Sequence, residues 1–509
     1  MPQDLPGLYF DAEKNRYFPI KSNIPGAPSS RNSSSSTGVQ NSPPQSKQAK
    51  YGESQMAAKV VKMLHIRELC GNSITCNKKK VNFQEQYQKI QISKPTIWKF
   101  YETAGLFDAA LEHVYVDILT QDGVTKSEIL LTGGVDRTFC FYEVGRFGLR
   151  QIPALRRTPD LLQTPDIEKQ TALLKSPGML SGPTSAFVRM HSNVSCVKIP
   201  GNYYPQATDV NSSVSHALIT TLGSEASGGS VFMMNLSEPL DYSSGFEMMS
   251  EKIDNISRFK STVWTADINS DGSRAVIGTN VGVALVHIES GRKTWICHSK
   301  SDVLSLQFDC SGNIVLCGLR NGAIVTIDAR QKPDSLLPRH QIPFPSLKTS
   351  ESVCGRGQKR DKRLFEIKGN VYQSRTVFMP SSVSCLAALK LYDQYFLASS
   401  MDGMVRLYDH RLTQRGPVQF YEGNVNSHTR IQFGVDPSER YFMSGGEDFC
   451  LRLWNIKSGE ILYEDKFMTS VPSVVCWARG SRERNTRPGN HLPGAWVASR
   501  EELFYVNIS

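Results

Sequence analysis

The sixteen-residue stretch Phe396–Arg411, FLASSMDGMVRLYDHR, recurs in the chain and decides its fold. Val315–Arg330 reads VLCGLRNGAIVTIDAR, and Phe442–Lys457 reads FMSGGEDFCLRLWNIK. Each copy has a small or polar cluster near its start and Asp or Asn at its seventh place. An alternating run follows, and it ends on Asp or Asn. A repeat of fixed length indicates one structural unit that is used many times.

Weaker copies of the same pattern cover Leu130–Gly145, His216–Leu236, Arg274–Glu289 and Ala495–Ser509. Most copies have a second alternating run upstream, separated from the first by a polar turn. Strand, turn, strand, turn, strand is the pattern of an antiparallel meander. Seven such units can be counted between about residues 111 and 509. The sequence therefore predicts an all-β protein built from repeats.

The units resemble WD40 repeats, which supply four strands to each blade of a β-propeller. No copy has a literal Trp-Asp pair, and the nearest are Tyr408-Asp409 and Trp454-Asn455. The resemblance implies a seven-bladed WD40 β-propeller over residues 96–509. The last repeat stops after its third strand, so we expect residues 96–103, TIWKFYET, to supply the outermost strand of that blade. This pairing would remove an open sheet edge.

The N-terminal 95 residues divide by composition into three parts. Residues 1–20 form an aromatic motif, residues 21–50 are rich in Ser and Pro and predict disorder, and residues 51–95 are basic and partly helical in pattern. The candidate docking residues of the first part are Tyr9, Phe10, Asp11, Arg16, Tyr17 and Phe18. Whether this motif docks on its own propeller or on a partner stays open. Two inserts, near residues 150–187 and 332–376, interrupt the repeats.

Composition limits the class of protein. The chain has 509 residues and 39% hydrophobic content, enough to bury a large core. Its eleven Cys lie mostly in apolar strands, which indicates free thiols rather than disulfides or a zinc site. No stretch reaches the roughly 18 apolar residues of a membrane span, and the N-terminus lacks the pattern of a signal peptide. We expect an intracellular protein of the nucleus, the cytoplasm or both.

The net charge of +10 is spread over several basic segments, among them residues 355–363, GRGQKRDKR. This excess predicts weak attraction to acidic surfaces, and it lacks the interleaved aromatic residues of a nucleic-acid stacking platform. We therefore do not expect direct nucleic-acid binding, although a nuclear import signal at Lys359–Arg363 stays open.

Motifs of catalysis are missing from the sequence. It has no GxxxxGK[ST] phosphate loop, no GxSxG elbow and no HExxH pair. Paired carboxylates such as Glu447-Asp448 and Glu501-Glu502 fall at predicted blade turns. We expect no catalytic residues, no metal and no cofactor, and a protein that is not an enzyme.

Two consecutive repeats end with a basic residue two places after the blade Asp. These endings are Ile327-Asp328-Ala329-Arg330 and Tyr408-Asp409-His410-Arg411, and Trp454-Asn455-Ile456-Lys457 is a weaker third. The Asp is expected to cap a turn, while the Arg projects towards solvent. An arginine offers a planar fork of donors to carboxylates or carbonyls of a partner.

These endings resemble the DWD boxes of the substrate receptors of cullin-4 ubiquitin ligases. The N-terminal segment Pro6–Asp11, with Arg16-Tyr17-Phe18 after it, is similar to the opening motif of the cullin-4-associated factor 4 family. The resemblance implies that the adaptor, damaged-DNA-binding protein 1, is bound by these residues: Asp328, Arg330, Tyr408, Asp409 and Arg411. It also implies that the adaptor connects the chain to cullin-4, and that the chain recruits an unknown substrate protein without transferring ubiquitin itself.

A second interpretation stays open at this point. A WD40 scaffold of a chromatin or RNA-processing assembly would have the same repeats and the same basic segments. The paired boxes distinguish the two, because the ligase interpretation requires them and the scaffold interpretation does not.

Overall fold

The computed structural model describes fifteen segments of the chain: residues 8–11, 16–19, 89–101, 110–120, 123–145, 155–157, 159–163, 178–181, 187–200, 216–224, 227–240, 250–330, 337–344, 364–478 and 494–508. Within the N-terminal aromatic motif, strands β1 (Leu8–Asp11) and β2 (Arg16–Pro19) form an antiparallel hairpin in which Tyr9 is opposite Phe18. The predicted disorder of residues 21–50 lies outside the described residues. So does the predicted helical pattern of residues 51–95, apart from a helical turn at residues 89–92.

A seven-bladed β-propeller follows this turn, which confirms the fold expected from the repeats. After strand β3 (Thr96–Phe100), blade 1 forms around a three-stranded meander that is widened by short strands of the first insert. The strands of blade 1 and its insert are β4 (Ala110–Thr120), β5 (Gly123–Gly133), β6 (Thr138–Gly145), β7 (Leu155–Arg157), β8 (Asp160–Gln163), β9 (Gly178–Ser181) and β10 (Phe187–Arg189).

Blades 2 and 3 each contain a four-stranded meander that runs from the central channel outwards. Blade 2 consists of β11 (Val194–Lys198), β12 (His216–Thr221), β13 (Ser230–Asn235) and β14 (Ile253–Arg258). Blade 3 consists of β15 (Val263–Ile268), β16 (Arg274–Thr279), β17 (Gly282–His287) and β18 (Lys293–Ser299).

Blade 4 contains the second insert between its third and fourth strands. Its strands are β19 (Val303–Phe308), β20 (Ile314–Leu319) and β21 (Ala323–Asp328), then the insert strands β22 (Arg339–Pro343) and β23 (Leu364–Gly369), then β24 (Val377–Phe378). The insert strands do not join blade 4. They pair with β18 and extend blade 3 to six strands. The described part of this insert therefore belongs to a sheet, and residues 345–363 lie outside the description.

Blades 5 and 6 are four-stranded and correspond to the repeats that decided the fold. Blade 5 consists of β25 (Val383–Ala388), β26 (Tyr395–Ser400), β27 (Val405–Asp409) and β28 (Gln419–Tyr421). Blade 6 consists of β29 (Gly434–Val435), β30 (Tyr441–Gly445), β31 (Leu451–Asn455) and β32 (Ile461–Asp465).

Blade 7 closes the ring with a strand from the other end of the domain. Its own strands are β33 (Pro472–Trp477), β34 (Ala495–Ser499) and β35 (Leu503–Asn507). Strand β3 pairs antiparallel with β35, with Trp98 opposite Tyr505, which confirms the closure that the sequence predicted. Strand β8 of the first insert then pairs with the outer side of β3. The insert therefore contributes to both blade 1 and blade 7.

Glycines near the ends of the second strands of blades 3 and 4 allow each of these blades to approach the next one closely. A Cβ on Gly278 would lie 2.8 Å from Cγ1 of Val303, the first residue of the next inner strand. A Cβ on Gly318 would lie 2.5 Å from Cγ1 of Val383 in the same way. A side chain at either position would push adjacent blades apart, which explains the small residue in the opening cluster of these repeats.

The meanders place the blade turns at two opposite faces of the propeller. Antiparallel strands reverse direction at each turn, so the turns after first and third strands share one face. We call this the box face, because it contains the turns after Asp328 and Asp409. The turns after second and fourth strands lie on the other side, which we call the opposite face.

Candidate functional site

The ending of blade 4 holds Arg330 in one conformation. Its Nε and Nη2 donate hydrogen bonds of 3.1 and 2.8 Å to Oδ1 and Oδ2 of Asp328, and its backbone N–H donates to Oδ1 at 2.9 Å. The Asp328 side chain is only 7% exposed, whereas that of Arg330 is 60% exposed. The buried carboxylate therefore caps the turn and orients a guanidinium at the surface.

The ending of blade 5 repeats this geometry. Nε and Nη2 of Arg411 donate to Oδ1 and Oδ2 of Asp409 at 3.1 and 2.9 Å, and the Arg411 backbone N–H donates to Oδ1 at 2.8 Å. The side chain of Asp409 is 5% exposed and that of Arg411 is 67% exposed. Two of the five N–H donors of each guanidinium are used within the box, so three remain for a partner.

Electrostatics keeps both carboxylates ionised. The hydrogen bond from Arg330 lowers the pKa of Asp328 to about 2, and burial opposes this effect without cancelling it. The Arg411 guanidinium likewise lowers the pKa of Asp409 below its ordinary value. Because each carboxylate stabilises the charged guanidinium beside it, the pKa values of Arg330 and Arg411 are raised. Both pairs stay charged at neutral pH.

Two short 3-10 turns connect the boxes. The first, Gln373–Arg375, follows Tyr372, and the Tyr372 hydroxyl donates a 2.8 Å hydrogen bond to Oδ2 of Asp328. The second, Thr413–Arg415, follows Arg411, and its Gln414 side-chain amide donates to the carbonyl of Ser374. Both boxes therefore belong to one continuous surface.

The third, weaker ending has a different arrangement. Oδ1 of Asn455 accepts a 2.9 Å hydrogen bond from the backbone N–H of Ser458, and the residue is buried. Lys457 is exposed, but no ion pair with Asn455 is available to orient it. An amide has no negative charge with which to hold a cation, so this blade lacks the fixed guanidinium of its two predecessors.

Tyr408 and Ile327, which precede the two Asp residues, lie in the core. Tyr408 is 1% exposed, stacks on Phe396 with ring centroids 5.3 Å apart, and donates its hydroxyl to Sδ of Met379 at 3.2 Å. The side chain of Tyr408 therefore lies inside the blade, and its adaptor-binding role stays a prediction. Ile327 is fully buried as well. These residues position the boxes, and the exposed atoms belong to the arginines.

Exposed apolar residues surround the Arg411 box, and the sequence analysis missed them. Leu391 and Tyr392 lie in the turn after β25, and Leu412 follows Arg411 directly. Glu439 of blade 6 fixes that turn, since its carboxylate accepts hydrogen bonds from the backbone N–H groups of residues 390–392. The spacing of the repeats gives no signal for these residues, because a turn between strands tolerates any polar or apolar side chain.

Arg375 is a further cation of this surface. It is exposed, and its guanidinium carbon lies 5.0 Å from the centroid of the Tyr372 ring, whose hydroxyl contacts Asp328. We define the box surface as the exposed side chains of Arg330, Arg375, Leu391, Tyr392, Arg411 and Leu412. It combines arginine donors with apolar area, a composition enriched in protein–protein interfaces.

The other predicted features have separate outcomes. For the N-terminal residues Tyr9, Phe10, Asp11, Arg16, Tyr17 and Phe18, the structure describes only the backbone hairpin, and their docking role remains a prediction. Within the described segments, no cluster of three or more His, Cys, Asp or Glu side chains has the arrangement of a metal site. No helix in the described part of the chain is long and apolar enough to cross a membrane.

Comparison with known proteins agrees with these features. The family model "WD domain, G-beta repeat" matches residues 373–409 and 416–455. DDB1- and CUL4-associated factor 4 is 24% identical over 251 residues both in Bos taurus and in Homo sapiens, and the match covers 49% of this chain and 42% of each relative. The chain is a WD40-repeat protein that resembles DDB1- and CUL4-associated factor 4. The match spans less than half the length of these relatives.

Another protein matches over a shorter region. The target of rapamycin complex subunit LST8 of Saccharomyces cerevisiae is 32% identical over 83 residues, which is 16% of this chain. In this 509-residue chain, the two segments that the family model matches lie on either side of Arg411. The match to the general repeat therefore covers the four strands of blade 5 and the first three strands of blade 6.

Proposed function

We propose that this WD40 protein is a substrate receptor of a cullin-4 RING ubiquitin ligase and binds the adaptor DDB1 through its box surface. One observation carries the proposal: adjacent blades present two exposed arginines, each locked by a buried aspartate, on one continuous surface. The similarity to a DDB1- and CUL4-associated factor supports the choice of adaptor.

The locked arginines suit a stable interface. A free arginine side chain loses rotamer freedom when it binds, which costs about 0.5–1.5 kcal/mol for a flexible side chain. The aspartates have already restricted Arg330 and Arg411, so less freedom remains to be lost on binding. Their free N–H groups are suited to carbonyl and carboxylate oxygens of the adaptor.

Apolar area next to Arg411 supplies the second part of the interface. Leu391, Tyr392 and Leu412 are each about half exposed, at 54%, 50% and 43%. Burying such side chains against a partner is favourable, and the arginines would fix the orientation of the two proteins. The chain itself would transfer nothing: the adaptor would connect it to cullin-4, and a protein bound elsewhere on the chain would be the target. Such a receptor would work in the nucleus, the cytoplasm or both.

Co-purification tests the proposal. Tagged full-length chain expressed in cells should retain endogenous DDB1 and cullin-4, and the double variant Arg330→Ala/Arg411→Ala should lose both. Arg500→Ala is the matched control, because Arg500 is exposed in a turn of the opposite face. Circular dichroism should show that all variants keep the β-propeller.

The outcomes separate the two interpretations. A wild-type chain that retains no DDB1 would contradict the receptor function and favour a WD40 scaffold of a chromatin or RNA-processing assembly. A folded double variant that retains DDB1 would show that DDB1 contacts the chain away from the two boxes.

A further inference from the structure

A single arginine reaches across the central channel near the opposite face. Arg430 precedes the inner strand of blade 6, and its Nη1 donates a 2.9 Å hydrogen bond to the carbonyl of Trp264 at the start of blade 3. The thiols of Cys196 in blade 2 and Cys385 in blade 5 also lie close enough to influence its pKa. Its guanidinium is therefore surrounded by the inner strands of several blades.

The charge of Arg430 has no carboxylate beside it. Among the described residues, no Asp or Glu forms an ion pair with this side chain, and burial lowers its pKa while the two thiols oppose this effect. Arg430 is half-buried, and its Nε is enclosed. Withdrawing a charge from water without a counter-ion is costly, and an arginine does not escape the cost by losing its proton. The site is therefore incomplete in electrostatic terms.

Two buried N–H donors at this position also lack an acceptor in the described structure. Nε of Arg430 is one, and Nε1 of Trp264 is the other. A buried donor that is left unpaired costs about 1–3 kcal/mol. Both residues already contact each other through the Trp264 carbonyl, so the unpaired donors belong to neighbouring side chains.

A second arginine lies over the ring of the same tryptophan. The guanidinium carbon of Arg320, in the turn between β20 and β21, is 5.6 Å from the centroid of the Trp264 ring. Its Nε donates to Asp302 at 2.8 Å, which holds the side chain in place while it remains 54% exposed. Two guanidinium groups therefore meet one tryptophan at the mouth of the channel: that of Arg320 lies over its ring, and that of Arg430 binds its carbonyl.

We propose that this mouth binds an acidic peptide segment, with one carboxylate accepting from Arg430 and a neighbouring one from Arg320. A carboxylate supplies both the negative charge that Arg430 lacks and the acceptor oxygens that the unpaired donors lack. The mouth lies on the opposite face, so a peptide bound there would leave the box surface free for another protein. Identifying that peptide with the ligase substrate rests on the proposed function, whereas the binding itself does not.

The experiment compares labelled twelve-residue Gly/Ser peptides that differ only at three adjacent positions. These positions hold Glu in the first peptide, Gln in the second and phosphoserine in the third, and binding to the full chain is measured by fluorescence anisotropy. We expect the Glu peptide to bind the wild type at least tenfold more tightly than the Gln peptide. Arg430→Met and Arg320→Gln should each remove most of this preference, whereas Arg411→Ala on the box face should keep it.

The thermal stability of Arg430→Met separates a binding site from a structural link between blades. Removal of a half-buried charge that has no counter-ion should leave the melting temperature unchanged or raise it. Arg320 is exposed, so Arg320→Gln should fold and keeps the test valid if Arg430→Met does not. Equal binding of the Glu and Gln peptides, or a preference that survives in folded Arg320→Gln, would overturn the proposal. Tight binding of the phosphoserine peptide alone would also overturn the carboxylate assignment.

The two experiments distinguish a failure of the peptide-binding proposal from a failure of the proposed receptor function. DDB1 retention depends on the box face, and the peptide preference depends on Trp264, Arg320 and Arg430. A chain that binds DDB1 without any preference for acidic peptides would remain a receptor with a substrate site elsewhere.

Discussion

The Tyr372 hydroxyl donates a 2.8 Å hydrogen bond to Oδ2 of Asp328. The same oxygen accepts from Nη2 of Arg330, so the tyrosine and the arginine hold one carboxylate from two sides. Tyr372 stands at the end of the second insert, just before the first 3-10 turn. The insert that extends blade 3 therefore also ends in a residue that fixes the box of blade 4.

Replacing Tyr372 by Phe should weaken that box without unfolding the propeller. The variant loses one hydrogen bond to a charged acceptor, so we expect a loss of about 1.5–3 kcal/mol in the free energy of unfolding at most. DDB1 affinity should fall a few-fold because Arg330 is held less firmly. Urea unfolding and a binding titration measure the two effects, and Tyr392→Phe, whose ring is exposed, is the control for stability. An unchanged affinity would show that Arg330 needs no second support.

The box of blade 4 should open only in acid. The folded pKa of Asp328 is about 2, below the value of about 3.9 for an unperturbed Asp. A carboxyl with a lowered folded pKa contributes stability that is complete above the unfolded pKa and is lost as pH falls through the folded value. The stability difference between wild type and Asp328→Asn should therefore be constant from pH 5 to 8. It should shrink between about pH 4 and 2, as measured by urea unfolding at each pH. A difference that changes between pH 5 and 8 would contradict this assignment.

The apolar part of the box surface should contribute to adaptor binding independently of the arginines. Leu391→Ser and Leu412→Ser each remove exposed apolar area, so we expect little change in the melting temperature and a several-fold weaker affinity for DDB1. Phe420→Ser is the matched control, since Phe420 is also about half exposed but lies on the outermost strand of blade 5. Equal effects of all three substitutions on affinity would contradict the boundaries that we give to the box surface.

Closure of the ring by β3 should be essential for stability. Trp98 is buried and its ring centroid lies 5.8 Å from that of Tyr505 on the paired strand. Trp98→Ala should cost about 3–5 kcal/mol of unfolding free energy, because it leaves a cavity between blade strands. Tyr101→Ala, just beyond β3 and half exposed, should cost far less. Calorimetry measures both, and similar losses for the two variants would contradict a central role for the strand.

The sequence alone predicted the number of blades and the closing strand, since both follow from strand alternation and from the missing fourth strand of the last repeat. It did not predict where the inserts go. Strands β22 and β23 follow blade 4 in the chain but pair with blade 3, and β8 crosses to blade 7. Such pairings depend on which sheet edge lies close to the insert in the folded protein. A pattern of alternating residues does not encode the distance between the insert and each edge.

The sequence predicted only part of the candidate site. The spacing of Asp328 to Arg330 and of Asp409 to Arg411 marks the two boxes, because a turn brings residues two places apart together. The aromatic position before Asp409 belongs to the strand, and the burial of Tyr408 there did not follow from the resemblance that named it as an adaptor-binding residue. Arg430 binds the carbonyl of Trp264 in blade 3, and Glu439 of blade 6 binds the turn of blade 5 that contains Leu391. Only the assembled ring reveals such contacts between blades.

The most direct test of the account is the affinity of the purified full-length chain for purified DDB1, measured by biolayer interferometry. We expect Arg330→Gln and Arg411→Gln each to weaken binding roughly tenfold or more, and the double variant to abolish it, because such anchored arginines dominate interface energies. Arg500→Gln should bind as the wild type does. A folded double variant with wild-type affinity would contradict the claim that these two arginines form the adaptor-binding surface.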